Sequence, residues 1–566
     1  MFNVMSLFGG NKPANMLPGN RKQAEQWLAT LPANDLHAQQ GAIVDMLRRL
    51  DTDIQQSGNE LTDTLEAIDA IDHHVQPLQQ TLTEQYLRSP RLAPQLESRL
   101  WTAIFQQADV TSQLYRNCLN QLQTRTSPKT SLTGLAQKLC VRGLFNLGNA
   151  FKLKFLRYGA PDAEMWNMLH SFWMSAESGS YEKRLTNVYN NQEYSCTSLY
   201  LRVELLAMSH PGSLSPEQIE LIDKWLLNAT GDITINRNPR QGRHHYFIDL
   251  AHSHGALPVG ATTYPDSCRG WDMSTLILQL QRTRASLIKA KSAGGVDSAN
   301  RYRLLTGLEY AEKQWNPGHL GKLRKHPRNK STRQIATVHG LADLCAVVQG
   351  QQATAGGISP ETAAEIRYTE TVDLQMYGFI TENTKQRTIQ LMGSAQKPLP
   401  APDMWDTENE SQDGYLIRFP SQHNSWLHLG SLIGVKDPTD QLWRACVVRR
   451  LIRTQQALSM AGIQVITKDP MVLLLYPLQS ESRSEEAPVR LAPSHALLTT
   501  PIENDHFTLI LDSSNYTQSR VYKCQASPTM PMMYFRLGRI LEKGDLWIHT
   551  EALLIQNLNP GDPTQP

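Results

Sequence analysis

Asn409-Glu410-Ser411-Gln412-Asp413-Gly414, followed at once by Tyr415-Leu416-Ile417-Arg418-Phe419, stands in the last third of a 566-residue chain. Asn and Ser carry short side chains that can hydrogen-bond the edge of a base, and Gly414 lets backbone approach a ligand or take a positive φ. The five residues after it have the aromatic and β-branched composition of a strand. Taken singly, the six-residue pattern is an ordinary turn before that strand. About 80 residues upstream lies Arg324-Lys325-His326-Pro327-Arg328, two arginines four apart, just ahead of a strand expected at Gln334–Val338. A guanidinium can grip a phosphate or the O6/N7 edge of guanine at two points and can stack on a purine, which lysine cannot. Pro327 disfavours a helix, so the arginines are expected on an extended segment able to close over a ligand. Lys322, Lys330 and Arg333 add to the local positive potential. Taken singly, this segment reads first as a solvated basic linker.

Around these two motifs the final third is β-rich. Strands are expected at Tyr415–Phe419, Ser431–Val435, Trp443–Leu451, Gly462–Ile466, Val472–Leu475, Phe507–Leu511 and Arg520–Cys524, with Gly, Pro, Asn and Asp between them. RxxxR before a first strand and [DN]xSxxG opening a second form the signature of the PilZ domain. The later text agrees, with Trp443-Arg444-Ala445-Cys446-Val447-Val448-Arg449 followed by Gly462-Ile463-Gln464. The chain therefore resembles the large proteobacterial PilZ-like cyclic di-GMP receptors, from roughly Gly318 to Leu475 for the domain itself. That resemblance implies cyclic di-GMP as ligand, with Arg324 and Arg328 on its guanines and phosphates and Asn409, Ser411 and Gly414 on a guanine. Asn409 in place of the commoner aspartate keeps an acceptor and lacks the charge. The long separation of the motifs implies a helical insertion, around residues 340–395, that leaves the barrel and returns.

Outward from the barrel, apolar residues from about Arg21 to Met208 recur at helical spacing, as in Leu36, Ile43, Leu47 and Leu50. Prolines interrupt them, and Ser215-Pro216 has the chemistry of a helix start, a serine cap followed by proline at the first turn. Short strand-like runs, Ile233–Ile235 and Tyr246–Ile248, precede further helix from Met273 to about Gln314. The reading is thus an α+β multidomain chain. Residues 1–20 form a flexible start, 21–317 a helical bundle or solenoid, 318–480 a PilZ-like antiparallel β-barrel with its helical insertion, 481–556 a β-rich extension and 557–566 a disordered tail.

Composition excludes several classes. The net charge of +2 is too small for generic nucleic-acid coating, so any anion site is local. No apolar stretch reaches the length of a membrane span, and the start has neither a basic n-region nor an uninterrupted apolar core, so no leader or anchor is expected. Seven cysteines, scattered singly, fit reduced thiols in a cytoplasmic protein. No phosphate loop, dinucleotide fingerprint or nucleophile elbow occurs. His244, His245, His252 and His254 cluster near Asp249, but their spacing is that of local packing rather than of a metal site. Arg444, Arg449, Arg450 and Arg453 could extend the ligand surface or pair with carboxylates, but read first as outward charges on a strand edge. The expected function is reception of cyclic di-GMP without catalysis, metal or other cofactor, coupled to a protein partner of a motility, pilus or exopolysaccharide system. The alternative is a helical interaction scaffold whose PilZ-like barrel no longer binds nucleotide.

Overall fold

The structure, a computed structural model, describes residues 17–56, 61–88, 93–125, 133–189, 192–289, 296–319, 327–356, 368–369, 371–373, 376, 379–391, 399–422, 424, 426–438, 442–454, 458–478, 493–525 and 532–555. Most of the expected flexible start and all of the expected tail lie outside these residues. The chain divides into two compact units, Met1–Lys325 and His326–Pro566.

The first unit is a helical bundle. Its helices run Arg21–Leu28, Leu36–Gln56, Leu61–Arg88, Pro94–Arg125, Thr133–Leu156, Ala163–Ser178, Cys196–Met208, Pro216–Ala229, Ser274–Lys289 and Val296–Trp315. Their apolar stripes meet in one continuous core that includes Leu47, Ile71, Leu114, Leu147, Phe151 and Leu226. Helix starts follow local chemistry. Ser215 Oγ accepts from the Gln218 amide, Gln218 Oε1 accepts from the Ser215 amide at 2.9 Å, and Pro216 fills the first helical position. Between the last two pairs of helices a small sheet joins Asn236–Arg237, Cys268–Trp271, Tyr246–Asp249 and Leu257–Pro258 in that order. Ile233–Ile235, expected as a strand, instead leads into Asn236–Arg237, with Ile233 and Ile235 buried in the helical core. The histidines near Asp249 make packing bonds: His244 Nδ1 accepts from the Arg240 amide and His252 pairs with Asp249 at 2.9 Å, both within local turns, while His245 Nδ1 meets the Met273 amide at the start of the next helix.

The loop after Tyr246–Asp249 is tied to the bundle by a buried carboxyl. The Ala256 amide donates to Glu204 Oε2 at 2.9 Å, and nearby Tyr200 OH lies 2.9 Å from His170 Nδ1. Burial pushes the Glu204 carboxyl up to about 8 and the His170 imidazole down to about 4. The two groups act oppositely on stability. A carboxyl that holds its proton more tightly when folded contributes fully below its unfolded value near 4.5, and that contribution is lost as pH rises to about 8. His170 contributes above its unfolded value near 6.5 and loses that as pH falls to about 4. Glu204→Gln should therefore flatten the decline in melting temperature between mildly acidic and mildly alkaline pH, a difference of the order of a few kcal/mol. Parallel pH profiles for variant and wild type would show that Glu204 does not titrate in this window.

The second unit holds two barrels. In the first, pairings run Gln334–His339 to Asp403–Ser411, to Gly414–Pro420, to Leu458–Thr467, to Trp443–Arg453, to Leu432–Lys436 and back to Gln334–His339, all antiparallel. Trp405, Ile335, Ile417, Phe419 and Val448 fill its interior. The second barrel closes through Met471–Pro477, Ser494–Leu498, His506–Asp512, Trp547–Leu554, Met533–Lys543 and Val521–Gln525. Both rings follow one order, first, second, third, sixth, fifth, fourth, so the second barrel repeats the topology of the first. Val472–Leu475, which the sequence reading places in the first barrel, belongs to the second. The first ring is already complete without it, because Gln334–His339 bonds on both sides.

The helical insertion begins with Gly340–Gly356, which wedges between the barrels. Leu344, Val347 and Val348 share one core with Leu432, Trp443 and Val447 of the first barrel and Val472, Leu497, Ile510 and Trp547 of the second. A further helix, Glu382–Leu391, leads back toward Asp403. Polar ties add to the barrel contact: Trp547 Nε1 donates to the Gly430 carbonyl at 2.8 Å, and Arg449 grips both oxygens of Glu542. Arg449 is thus a joint between barrels, not an outward charge on a sheet edge, and its strand is bonded on both sides.

Candidate ligand-binding cleft

The motif Asn409–Gly414 is not a loop before a strand. Asn409, Glu410 and Ser411 end the strand Asp403–Ser411, Gln412-Asp413 make the two-residue turn, and Gly414 opens the next strand opposite Ser411. The Ser411 hydroxyl donates to the Gly414 carbonyl at 3.2 Å, closing the turn. Gly414 is required by its neighbour rather than by a positive φ: a Cβ there would stand 2.1 Å from the Ile463 carbonyl oxygen of the adjoining strand.

The segment after the arginine pair runs beside this hairpin. Asn329–Lys330 pairs antiparallel with the same strand, Asn329 opposite Glu410 and Lys330 opposite Asn409. The chain then continues through buried Ser331, whose amide donates to the Glu408 carbonyl, into Gln334–His339. Thr407 holds the junction, taking a bond from the Arg333 amide at 3.1 Å and donating to the Arg333 carbonyl at 2.8 Å. Arg328, exposed, therefore enters directly at the hairpin. Arg324 lies outside the described residues.

Between these strands, at one mouth of the barrel, lies an open cleft of about 460 Å³. Pro327, Asn329 and Arg333 line it from the entering segment, Ser411, Gln412 and Tyr415 from the hairpin. Asp437, Arg444 and Lys468 come from further strand ends, Lys468 lying in the short link between the two barrels. The Arg333 guanidinium donates to the Glu410 carboxylate and lies 3.4 Å from Asp437 Oδ2. The bond to Glu410 above all, with the charge of Asp437, holds Arg333 above its ordinary range against the cost of burial. Arg444 donates to the Tyr415 hydroxyl. Burial raises that hydroxyl above its usual range, and the charge of Arg444 opposes the shift. Three cations face two carboxylates, a lining that favours an anion while keeping its arginines fixed in place.

Of the residues expected at the site, Arg328, Asn409, Ser411 and Gly414 come together at this hairpin. Ser411 lines the cleft, and Asn409, two residues earlier in the same strand, stands on Ser411's side of the strand outside that lining. Its Oδ1 is shielded from water and accepts no hydrogen bond among the described residues. Tyr415, Asp437 and Lys468 were not expected here, and Arg444 reads in the sequence as an outward charge ahead of a place on the ligand surface. Their one shared feature is a place at or near strand ends that only barrel closure brings to the same mouth.

Two family models match the chain. Residues 22–240 match the N-terminal domain of the cyclic-di-GMP receptor FimW, and residues 350–470 match the middle PilZ domain of the same receptor. The second match takes in Asn409, Ser411, Gly414, Asp437, Arg444 and Lys468. No curated protein and no solved structure gives a significant match. Two domain models of one receptor, in the receptor's own order, cover more than half of the chain, which belongs to the FimW family of cyclic-di-GMP receptors.

Proposed function

We propose that the protein is a non-catalytic receptor in which cyclic di-GMP is held at the mouth of the first barrel, and that its output is a change of conformation or partner binding. The observation that carries this reading is the pairing of Asn329–Lys330 with Asn409–Glu410. It brings the chain just after Arg328 beside the [DN]xSxxG hairpin, about 80 residues away in sequence. A cyclic dinucleotide brings two phosphodiester charges and two guanines. Arg324, Arg328, Arg333, Arg444 and Lys468 supply cationic donors to the phosphates and guanine edges. The unmet acceptor of Asn409 and the Ser411 hydroxyl suit the donor-bearing edge of guanine.

The nucleotide changes output only by binding one arrangement better than another. Closing the arginine segment over the cleft is the step on which that difference rests, and Lys468 puts the link to the second barrel within reach of the same ligand. All seven cysteines are free and buried, in keeping with a cytoplasmic setting, and the partner is sought among motility, pilus and exopolysaccharide proteins. One observation favours the alternative, a scaffold with a degenerate barrel: Arg333 already has carboxylate partners that a phosphate must displace. Isothermal titration of the full-length protein separates the two. Saturable heat with cyclic di-GMP and none with GTP is expected; a folded protein giving no heat with either would leave the scaffold.

A further inference from the structure

A second cavity, of about 380 Å³, lies wholly within the helical unit. One stripe of the helix Thr133–Leu156 forms its wall, Phe145, Asn149 and Lys152 following each other at helical spacing. Lys152 and Arg202, with Glu220 and Asp223, make a buried ionic network at the cavity. Arg202 is 1% exposed and holds Asp223 with two bonds, Nε to Oδ1 at 2.6 Å and Nη2 to Oδ2 at 2.7 Å. Lys152 lies 2.8 Å from Glu220 and 3.2 Å from Asp223. Gly148 makes room for this, since a Cβ there would stand 3.1 Å from Arg202 Nη1.

Burying four charges is costly, and packed apolar side chains of similar volume would commonly hold the three helices together at least as well. The network is also incomplete: Arg202 Nη1 has no hydrogen-bond partner among the described residues. Phe145 and Tyr194, with rings 6.2 Å apart and 27° from parallel, supply an apolar face beside it. Cations and carboxylates balance at the floor, and Lys224 and Glu84 balance near the mouth. A phosphate-bearing ligand gains nothing from such a lining, whereas a molecule with both poles can meet both.

We infer that this cavity is a second small-molecule site, distinct from the barrel cleft, for a net-neutral zwitterion of amino-acid size with an apolar or aromatic end. Its carboxylate turns to the Arg202 and Lys152 side of the floor, its ammonium to the Glu220 side, and its side chain lies against Phe145 and Tyr194. The volume falls within the ordinary range for ligand pockets.

The test is a thermal-shift scan of the full-length protein against each of the twenty amino acids, with guanosine and cyclic di-GMP alongside, followed by titration calorimetry of any that shift. At least one apolar or aromatic amino acid should bind saturably at one site. Asn228→Trp, at an exposed position on the cavity rim clear of the ion pairs, should abolish that binding while leaving the melting temperature in place. Arg202→Lys should weaken it at least about tenfold, as expected for one lost charge-assisted bond. Absence of binding by every amino acid overturns the proposal, as does binding that survives Asn228→Trp. Binding of guanosine or cyclic di-GMP that Asn228→Trp removes overturns the ligand class. None of these outcomes bears on nucleotide binding at the barrel.

Discussion

An Arg324→Ala/Arg328→Ala double variant should lose at least about 100-fold in affinity for cyclic di-GMP while keeping the wild-type melting temperature. Each arginine contributes charge-assisted bonds worth about 1.5–3 kcal/mol, and two of them together exceed the roughly 2.7 kcal/mol that a 100-fold change requires. Stability should hold because Arg328 is exposed, and exposed charges of this kind usually change folding by less than about 0.5 kcal/mol. Calorimetry reads the first quantity and thermal denaturation the second. Arg333→Ala should behave differently, since it also leaves Asp437, 4% exposed, without its guanidinium and so lowers stability together with affinity. Undiminished affinity in the double variant would remove the arginine segment from the site.

Asp72→Ala should destabilise the helical unit by about 3–5 kcal/mol, the usual result of stripping one partner from a buried ion pair. Asp72 has no exposed surface and gathers groups from three other elements. Arg142 Nη1 lies 2.9 Å from Oδ2, Tyr115 OH donates to the same oxygen at 2.6 Å, and Tyr189 OH joins them from the hairpin Thr186–Tyr194. Removing the carboxylate strands the buried Tyr115 hydroxyl, leaves the Tyr189 hydroxyl with the bond it accepts from Asn146, and leaves Arg142, stacked 4.1 Å over the Tyr189 ring, with Asp69 as its remaining anion. Urea unfolding of the full-length protein measures the loss. Glu25→Ala, which breaks the exposed pair with Arg21, is the matched control and should leave stability nearly unchanged. Equal effects of the two substitutions would mean that the Asp72 network carries no special weight.

How far the sequence could be read depended on which signal each element carries. The barrel strands at Tyr415–Phe419 and Trp443–Leu451 are apolar enough to be seen, and they appear within Gly414–Pro420 and Trp443–Arg453. Asp403–Ser411 was not seen, because only Trp405 and Thr407 of its nine residues are buried and the rest, rich in Asp, Glu and Asn, read as turn. That strand is the one that positions the motif, so the hairpin geometry stayed hidden although its residues were in view. The repeat of the barrel was equally hidden. Its second copy has Thr499-Thr500-Pro501-Ile502-Glu503-Asn504-Asp505 where the first has the short turn Gln412-Asp413, and no [DN]xSxxG occurs there. The helical caps, by contrast, depend on neighbours only three residues apart, and Ser215 was legible for that reason. Arg444 shows the converse limit. On a strand it reads as surface charge, and only barrel closure turns it toward Tyr415 and the cleft.

The claim at the centre of this account is that cyclic di-GMP sits where the arginine segment meets the hairpin of the first barrel. Hydrogen exchange of the full-length protein, with and without saturating cyclic di-GMP, tests it most directly. The account predicts its strongest slowing of exchange over residues 328–333 and 409–415 and at Arg444 and Lys468. Slowing confined to the second barrel or to the helical unit, or none in a protein that calorimetry shows to be saturated, would contradict it.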